Sequence, residues 1–544
     1  MSFNILVTDR DGKILECFNR KISADMLRHC GGQLTVSAQI PAVEVTAIWH
    51  AALATLPEMK LPWNIEFSSG SSHGMPLLVF MDQNSSASYA VGLTNCIDDC
   101  MVSCKMNQEL CCFEVKFVIA AVAGSEPFEI FADCSSREMT AVLQDFRQLV
   151  MTEIPEYPAG AWDAVYCSWY AVHTAITGKY LRKNAVEAHR LGFGTFIVDD
   201  GWCFDENKRV TPLTLPDWYR DIGDWQLSES KLPEMKQIIA EAQTLGMNYI
   251  FWVAPFFAGR RSKLNESVSK FLTELHEGQR IYDPADETAA EQTMANICRI
   301  FEEMDLDGLK IDFVDSVMPD AANPHCRVVK EYLEKLIGRV RKLKPSALIE
   351  FRQNYATPVN ASLATAFRAG DVPFDYMQNF SSCIQLRLIM GDRIPVHADP
   401  VYFHPGESSA AVGRHMIASL AGVPMLSMEL TGISPEHKAV IKNYLDFYNA
   451  HRETLNFGHW SLKLHNGFAA AAICNGADES IVILSDKSAL TEALTACRKR
   501  VTVLNMCAGN LSVDGEIFDA AGNVYSGNDV PSGGRVELTA ASEQ

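Results

Sequence analysis

Hydrophobic residues follow one pattern in the middle of this 544-residue chain and another at its two ends. In the middle, short apolar runs rich in Val, Ile, Phe and Tyr alternate with stretches of helical period, which is typical of βα units around a parallel sheet. Strands are predicted at 165–169, 195–198, 248–253, 308–312, 347–351, 366–368, 395–397 and 423–427. Helices are predicted at 231–245, 288–304, 327–343, 408–421 and 435–448. Eight parallel strands, each followed by a helix, indicate a (β/α)8 TIM barrel.

Both ends of the chain are predicted to be β-rich, because alternating stretches are separated there by Asp, Gly and Ser turns. Strand candidates lie at 3–8, 34–40 and 113–121 before the barrel, and at 469–473, 480–484 and 501–504 after it. A proline-marked joint at 153–160 precedes the barrel. We predict three regions, at 1–152, 153–454 and 455–544. An open doubly wound sheet is the alternative for the middle, but no Gly-x-Gly-x-x-Gly turn follows the first strand.

Charge narrows the possible partners. The chain has 47 Lys and Arg against 67 Asp and Glu, a net charge of −20, which repels phosphate backbones and anionic lipid. With 48% hydrophobic and 21% charged residues, the composition is that of a folded globular protein. No signal peptide is expected, and apolar runs such as 117–124 are too short to span a bilayer. We expect a soluble, cytoplasmic protein without nucleic-acid or membrane partners.

Sixteen cysteines without a regular framework favour a reducing compartment. Five of them form a cluster, at Cys96, Cys100, Cys104, Cys111 and Cys112. A metal site is one interpretation, but the spacing is not Cys-x2-Cys and no histidine lies within twenty residues. Because free cysteine packs as a small hydrophobe, we expect these residues to be buried instead.

Polar residues are concentrated where the predicted barrel strands end, which is where a barrel enzyme carries its active site. Lys310 and Asp312 are two apart in a strand, so both point to one face. With Leu309 and Ile311 on the other face, the charged pair is predicted to face the barrel axis. The alternative is a structural ion pair, but several other strands also end in acids and bases. These residues are Asp199, Asp200, Asp315, Glu350, Arg352, Asn354, Arg368, Asp371, Asp375, His397 and Asp399.

The residues around Asp199 and Asp200 suit a sugar. Such acids are common helix caps, but carboxylates also accept two hydroxyl hydrogen bonds in a fixed fork. Four tryptophans offer apolar faces on which a sugar ring can rest, although any single one is more often core. They are Trp169, Trp202, Trp225 and Trp252.

These segments resemble the melibiase group of retaining α-glycosidases, above all glycoside hydrolase family 36, which shares a clan with family 27. The resemblance covers roughly residues 160–450. Residues 199–202, 223–225 and 251–255 are similar to the family's Asp-Asp-Gly-Trp, Gly-Asp-Trp and Gly-x-Trp-x-x-Pro segments. Residues 310–313 stand at the place of Lys-Trp-Asp, and 368–371 resemble Arg-x-Ser/Gly-Asp. The family also implies a β-sandwich before the barrel and a smaller one after it.

The chain departs from the family pattern in three places. Ile311 replaces the tryptophan of Lys-Trp-Asp. The glycine-rich Cys-Ser-Gly-Gly-Gly segment is replaced by residues 350–354, and the acid segment reads Gly-Asp-Val-Pro-Phe-Asp instead of Ser-Asp-Asn-Thr-Asp. The chain is also short for this family. These departures concern sugar specificity more than the class of enzyme.

The resemblance implies an exo-acting hydrolase that removes terminal α-linked galactose, or a galactose-like sugar, by double displacement. Asp312 would be the nucleophile and Asp371 the acid/base, with their carboxyl groups ~5–5.5 Å apart. Lys310 is expected to keep Asp312 ionised, and apolar Val372 and Phe374 to keep Asp371 neutral. The predicted substrate-binding residues are Asp199, Asp200, Trp202, Asp224, Trp225, Trp252, Lys310, Arg352 and Arg368.

Within that set, Asp199 and Asp200 are assigned to the 4- and 6-hydroxyls and Lys310 to the 3- and 4-hydroxyls. Arg368 is assigned to a substrate hydroxyl at the 2-position by family analogy. Asp375 is the alternative acid, and Asp315 is an outer candidate. The expected partner is an oligosaccharide or another α-glycoside, with no cofactor and no metal; a homo-oligomer is left open.

Three alternatives stand beside this hypothesis. A transglycosidase would keep the site and change the acceptor. A metal-dependent barrel would use Asp199, Asp200, Asp312, Asp371 and His397, but Lys310 adjoins that set and no His-x-His pair occurs on the early strands. A catalytically inactive sugar-binding protein is the third, and nothing in the sequence marks it. His397 and His404 are expected to be hydrogen-bonded scaffold residues.

Overall fold

The structure is a computed structural model that describes residues 4–51, 64–151, 153–205, 218–275, 279–465, 468–497 and 500–538. In its described residues the N-terminal region contains eleven strands and two α-helices. They are β1 (Ile5–Asp9), β2 (Lys21–Ile22), α1 (Ala24–His29), β3 (Gln33–Pro41), β4 (Ala47–His50), β5 (Asn64–Ser69), β6 (Leu77–Met81), β7 (Ser86–Leu93), β8 (Cys100–Asn107), β9 (Cys112–Ala120), β10 (Phe128–Asp133), β11 (Arg137–Glu138) and α2 (Met139–Val150).

Two antiparallel sheets face each other in this region. One has the order β1-β3-β9-β8-β5 and the other β2-β10-β7-β6-β4, with β11 beside β7. Val36 and Phe117 of the first sheet share a buried cluster with Leu78 and Val91 of the second. Alternating buried positions along β3 produce this one-sided packing. The predicted N-terminal β-sandwich is therefore confirmed.

The middle of the chain forms the barrel. Its elements are β12 (Val165–Cys167), α3 (Trp169–Val172), α4 (Gly178–Leu191), β13 (Thr195–Val198), α5 (Met235–Thr244), β14 (Asn248–Val253), α6 (Leu264–Ser267), β15 (Phe271–Leu275), β16 (Gln279–Tyr282), α7 (Glu287–Glu303), β17 (Gly308–Ile311), α8 (Cys326–Leu343), β18 (Leu348–Arg352), β19 (Ala366–Arg368), α9 (Tyr376–Met390), β20 (Val396–His397), α10 (Ser409–Ser419), β21 (Met425–Leu426) and α11 (Pro435–Ala450).

Eight parallel strands pair in the order β20-β19-β18-β17-β14-β13-β12-β21. A parallel bridge between His397 and Val423 brings the two ends of this order together. Each predicted strand overlaps an observed one, so the predicted TIM barrel is confirmed. The β15–β16 hairpin is an insertion between α6 and α7.

One connection differs from the predicted alternation of strands and helices. Between β18 and β19 the described chain forms two 3-10 turns, Gln353–Tyr355 and Pro358–Asn360, instead of an α-helix. The connection is short and contains Pro358, whose nitrogen has no hydrogen to donate. The prediction that every strand is followed by a helix is wrong here. The first turn keeps Arg352 and Asn354 close to the barrel mouth.

The C-terminal region contains α12 (Arg452–Phe457), β22 (His459–His465), β23 (Phe468–Asn475), β24 (Glu479–Leu484), α13 (Leu490–Thr495), β25 (Arg500–Asn505), β26 (Glu516–Phe518) and β27 (Arg535–Leu538). Its strands form one sheet in the order β22-β23-β24-β25-β27-β26. Along β24, Ile481 and Ile483 join the barrel's core cluster, whereas Val482 and Leu484 join a separate one. The sheet is therefore fixed to the barrel through one face.

Four of the five cysteines in the cluster are buried. Cys96, Cys100, Cys104 and Cys112 are buried, as predicted, and all sixteen cysteines of the chain are free. Burial raises the pKa of Cys104 to about 12, so its thiol stays protonated. Cys111 is exposed.

None of the described helices combines the length and the apolar character that a membrane span requires.

Candidate active site

Strand register brings the charged residues of the barrel together. Lys310 on β17 is paired with Trp252 on β14 and with Glu350 on β18. Two residues further along β18, Arg352 is paired with Arg368 on β19. Side chains at paired positions of neighbouring strands point to the same face, so these residues form two successive layers inside the barrel.

Lys310 and Asp199 form the inner ion pair of the site. Lys310 Nζ lies 2.5 Å from Asp199 Oδ2, and both side chains are buried. The Asp199 carboxylate also accepts from the Cys167 thiol at 3.2 Å and from the main-chain N–H of Asp200 at 2.9 Å. Burial is the largest single effect and opposes the charged form of Lys310, but Asp199 together with Cys167 and Asp312 outweighs it and raises the pKa of Lys310 above its ordinary value. The Lys310 ammonium is therefore held in its charged form beside Asp199.

Asp312 directly follows β17 and is buried among donors. Its Oδ2 accepts from Trp252 Nε1 at 3.1 Å, and its Oδ1 accepts from the main-chain N–H of Phe313 at 2.8 Å. Arg352 Nη1 lies 3.5 Å from Oδ1, and Lys310 Nζ lies 4.0 Å from Oδ2. Burial alone would raise the pKa of Asp312, but Arg352 and then Lys310 outweigh it and lower this pKa to about 2. The carboxylate is therefore ionised near neutral pH.

Asp371 contacts two arginines. Arg352 Nη2 lies 2.8 Å from Asp371 Oδ2, and Arg368 Nη1 lies 3.1 Å from Asp371 Oδ1. Burial favours the neutral acid, but Arg368 and Arg352 together lower the pKa of Asp371 below its ordinary value. The expectation that Val372 and Phe374 hold Asp371 neutral is wrong, since Phe374 is 61% exposed and the arginines dominate. About half of the Asp371 side chain is in water, which screens both ion pairs.

Arg352 thus bridges the two carboxylates that the sequence nominates for chemistry. One of its terminal nitrogens approaches Asp312 and the other donates to Asp371, and its guanidinium lies 5.5 Å from the Phe313 ring centre. The sequence predicted Arg352 only as a substrate-binding residue, and the ion-pair bridge between the two carboxylates was not predicted. The two carboxylates are within reach of a single guanidinium.

Two buried acids were not included in the predicted site. Arg368 Nη1 lies 2.6 Å from Asp399 Oδ1, and Arg368 Nε lies 3.2 Å from Glu350 Oε1. Burial raises the pKa of Asp399 to about 7 and raises the pKa of Glu350. Side chains two residues apart in a strand point to the same face, which is how Lys310 and Asp312 were selected. The same spacing relates Glu350 to Arg352 and Asp399 to His397, so it could also have selected these two acids.

The tryptophans form a packed cluster. Trp202, Trp225 and Trp252 have at most 1% of their surface exposed, and Trp225 lies 6.1 Å and 5.9 Å from the ring centres of the other two. Trp202 Nε1 donates to the main-chain oxygen of Trp252 at 2.8 Å. These rings are a buried wall in this structure and not an open platform, whereas Trp169 is partly exposed. Contact between the rings and a sugar stays a prediction.

Asp224 and Asp375 serve the scaffold in this structure. Both carboxylate oxygens of Asp224 accept main-chain N–H groups, from Lys263 and Leu264, at 2.9 Å each. Asp375 caps the start of α9 by accepting from the N–H of Gln378 at 2.9 Å. Neither side chain is brought to the cluster around Asp312.

His397 and His404 also make local contacts. The His397 ring contacts the main-chain oxygen of Ala161 at 2.8 Å, and His404 Nδ1 accepts from the N–H of Gly406 at 3.0 Å. Both match the expected scaffold role. No group of His, Cys, Asp and Glu that could hold a metal ion occurs in the described parts of the chain. The set proposed for a metal-dependent barrel is therefore not assembled as a metal centre.

A closed parallel barrel with acids and bases at the carboxyl ends of its strands, preceded by a β-sandwich, is the architecture of the TIM-barrel α-galactosidases. The chain is similar in fold to the GH36 α-galactosidase AgaA of Geobacillus stearothermophilus, with a TM-score of 0.64 at 15% identity, over 94% of this chain and 76% of that one. For the galactosidase domain of the α-galactosidase-sucrose kinase AgaSK the TM-score is 0.61 at 14% identity, over 82% and 68%.

Sequence comparison also finds similarity to α-galactosidases, but over shorter stretches of the chain. The family model described as Melibiase matches residues 126–328. The bifunctional α-galactosidase/sucrose kinase AgaSK of Mediterraneibacter gnavus is 22% identical over 42% of this chain, and the α-galactosidase of Escherichia coli is 27% identical over 23% of it. The matched stretches span only 25% and 17% of those two proteins.

Proposed function

We propose that this chain is a retaining, exo-acting glycoside hydrolase that releases terminal α-linked galactose or a galactose-like sugar. The observation that carries the proposal is the state of Asp312, a buried and ionised carboxylate at the carboxyl end of β17, with Asp371 in reach of the same guanidinium. The similarity to α-galactosidases supports it. AgaA has been crystallised with stachyose and with raffinose, which is the class of substrate we propose.

The proposed reaction has two steps. Asp312 attacks the anomeric carbon while the bond to the leaving oxygen breaks and Asp371 gives that oxygen a proton. A glycosyl ester of Asp312 results. Water then attacks the anomeric carbon, its proton passes to Asp371, and the ester bond to Asp312 breaks. One water is consumed, and the configuration is retained.

The proposed substrate contacts follow from the inner layer of the site. Asp199 and Asp200 would accept from the 4- and 6-hydroxyls, Lys310 would donate to the 3- and 4-hydroxyls, and Arg368 would donate to the 2-hydroxyl. Carboxylates in such positions select an axial 4-hydroxyl, because the wrong epimer leaves buried acceptors unpaired. The proposal keeps Asp371, and not Asp375, as the acid. It also keeps the three regions 1–152, 153–454 and 455–544, and the cytoplasm as location.

The test is a panel of aryl α-glycosides, comprising galactoside, N-acetylgalactosaminide, arabinopyranoside and glucoside, with NMR on the first sugar released. Cleavage of the galactoside with the α-anomer first supports the proposal. If the β-anomer appears first, the retaining mechanism is wrong. Excess acceptor sugar in the same assay separates hydrolysis from the alternative, transfer of the galactosyl group.

A second experiment tests the nucleophile. Asp312→Gly should reduce turnover of an aryl α-galactoside by about 10⁴-fold or more, since the covalent step is lost. Azide should not restore an α-configured product. Asp446→Asn, on the exposed side of α11, is the matched control and should retain wild-type turnover. Near wild-type activity of Asp312→Gly would rule out the assignment.

A further inference from the structure

The proposed acid is in the wrong state for its task. A general acid must carry a proton when the glycosidic bond breaks, but Asp371 is paired with Arg352 and Arg368, and both pairs favour its ionised form. Arg368 is 2% exposed and also holds Glu350 and Asp399, so it is fixed in place. Arg352 is the one of the two arginines at the partly exposed rim. If either pair opens, it is the pair with Arg352.

A second carboxylate near Arg352 is incompletely paired. Asp315 lies in the 3-10 turn Val314–Ser316, three residues after Asp312, and its Oδ2 accepts from Asn354 Nδ2 at 2.5 Å. Its Oδ1 is buried and has no hydrogen-bond partner in the described parts of the chain. A buried acceptor without a donor is unfavourable. Burial raises the pKa of Asp315, and the cation that most opposes this rise is Arg352.

We propose that Arg352 moves between these two carboxylates: when substrate binds, its guanidinium leaves Asp371 and docks on Asp315, which removes one of the two cations that hold Asp371 ionised and so favours uptake of the proton that it donates. This inference rests on the proposed function and names two positioning residues for it. The sugar must occupy the space between Asp312 and Asp371 that the guanidinium now bridges. The displaced cation then completes the hydrogen bonding of Asp315 Oδ1 with a charge-assisted bond.

The charged groups that surround Asp371 are consistent with the movement of Arg352 from Asp371 to Asp315. Asp371 faces Arg352, Arg368, Asp312 and Lys310, so the loss of one arginine lowers the positive charge around it without leaving it unpaired. Its distal neighbours Asp399 and Tyr170 are bonded to each other at 2.9 Å.

Asp315 faces Arg352, Asn354 and Asp312. The N-terminal sandwich contributes His73, whose ring hydrogen-bonds the main chain of Asp315 and contacts Ser72 Oγ at 2.9 Å. Burial lowers the pKa of His73 to about 4, so it is neutral near pH 7 and positions the turn without adding charge.

The proton balance is closed by water. Once Arg352 has left, Asp371 takes a proton from solvent. It passes this proton to the glycosidic oxygen as that bond breaks, and it regains one from the water that attacks the glycosyl ester. This last proton returns to solvent when Arg352 pairs with Asp371 again. Arg352 stays protonated throughout, because its pKa is raised, not lowered, by its carboxylate neighbours.

The test uses the full chain and two substrates that differ only in the leaving group. Methyl α-galactoside needs a proton on its leaving oxygen, whereas 2,4-dinitrophenyl α-galactoside does not. Asp315→Asn removes the docking carboxylate, so kcat for the methyl glycoside should fall by about 10–100-fold and kcat for the dinitrophenyl glycoside by less than about threefold. The basic limb of kcat should move to lower pH, because Arg352 stays on Asp371 in the enzyme–substrate complex.

The double variant makes the test specific. If Asp315 acts through Arg352, adding Asp315→Asn to Arg352→Gln should cause no further loss on the methyl glycoside. Asp320→Asn, in the same connection and bonded to local main-chain groups, is the matched control and should show no dependence on the leaving group. Asp315→Glu should restore cleavage of the methyl glycoside, and Asp315→Ser is the second variant if the amide disturbs folding.

Three outcomes overturn the inference: an equal loss on both substrates, a loss that persists in the Arg352→Gln background, or no loss in Asp315→Asn. A wild-type chain that cleaves neither α-galactoside contradicts the proposed function instead.

Discussion

Two ion pairs at the carboxyl end of the barrel differ in their surroundings. Lys310 and Asp199 are 2.5 Å apart with side chains 7% and 4% exposed. Arg352 and Asp371 are 2.8 Å apart with side chains 20% and 46% exposed. The inner pair lies among the tryptophans and strand residues, and the outer pair lies at the rim. Similar distances therefore describe interactions of different strength.

The two ion pairs differ in what compensates the carboxylate when its cation leaves. If Lys310 leaves Asp199, a buried charge is left without compensation, which is strongly unfavourable. If Arg352 leaves Asp371, water solvates the exposed carboxylate and Asp315 offers another acceptor, so the loss is small. The inner pair is therefore suited to holding the shape of a sugar pocket, and the outer pair to changing during a reaction.

The largest expected effect comes from breaking the inner pair. Lys310→Met should lower the free energy of unfolding by about 3–5 kcal/mol and abolish α-galactoside cleavage, since the buried Asp199 carboxyl group is left without its cation. Chemical denaturation measures the first effect. Lys442→Met breaks a 2.5 Å pair with Asp446 on the surface of α11 and should cost only about 0.3–0.5 kcal/mol. If the two variants lose the same free energy of unfolding, burial does not make the Lys310–Asp199 pair stronger than the surface pair.

A smaller effect is expected at the outer pair. Arg352 lowers the pKa values of Asp312 and Asp371, so Arg352→Gln should raise both. The reaction needs ionised Asp312 and protonated Asp371, so the pH profile of kcat/KM should shift to higher pH by about one pH unit. Arg339→Gln, which breaks an exposed pair with Glu291, is the control and should leave the profile in place. A shift to lower pH would contradict the assigned contacts.

The smallest effect is expected at Asp375, four residues from Asp371. Asp375→Ala removes the cap of α9 and should lower the free energy of unfolding by about 1 kcal/mol, with the pH profile unchanged. Ser434→Ala removes the corresponding cap of α11 and should cause a similar loss of stability. If Asp375→Ala also removes the basic limb of the profile, Asp375 is the acid and the outer pair has a different role.

The barrel strands were predictable because their signal is local. Short apolar runs flanked by turns mark β13, β14 and β17 without any knowledge of their neighbours. The absence of a helix after β18 was not predicted, although the connection is short and contains Pro358. The inward direction of Lys310 and Asp312 followed from strand period alone.

The state of Asp371 was not predictable from its neighbours in the chain. Val372 and Phe374 suggested an apolar setting, but the ring of Phe374 is in solvent and two arginines from β18 and β19 determine the charge of the carboxyl group. The burial of Trp202, Trp225 and Trp252 against one another depends on strand packing. Glu350 and Asp399 have the same strand period as the chosen residues and could have been included.

By itself, the sequence determined the (β/α)8 barrel, its β-rich flanks and the strand ends at which the acids stand, because hydrophobic period and turn residues act over a few positions. Only the tertiary structure decided which acids share a cation, which are buried and which are ionised. These properties depend on distances of 2.5–3.5 Å between side chains from different strands and on the water that packing excludes. The spacing of residues along one strand contains no information about these distances or about the exclusion of water.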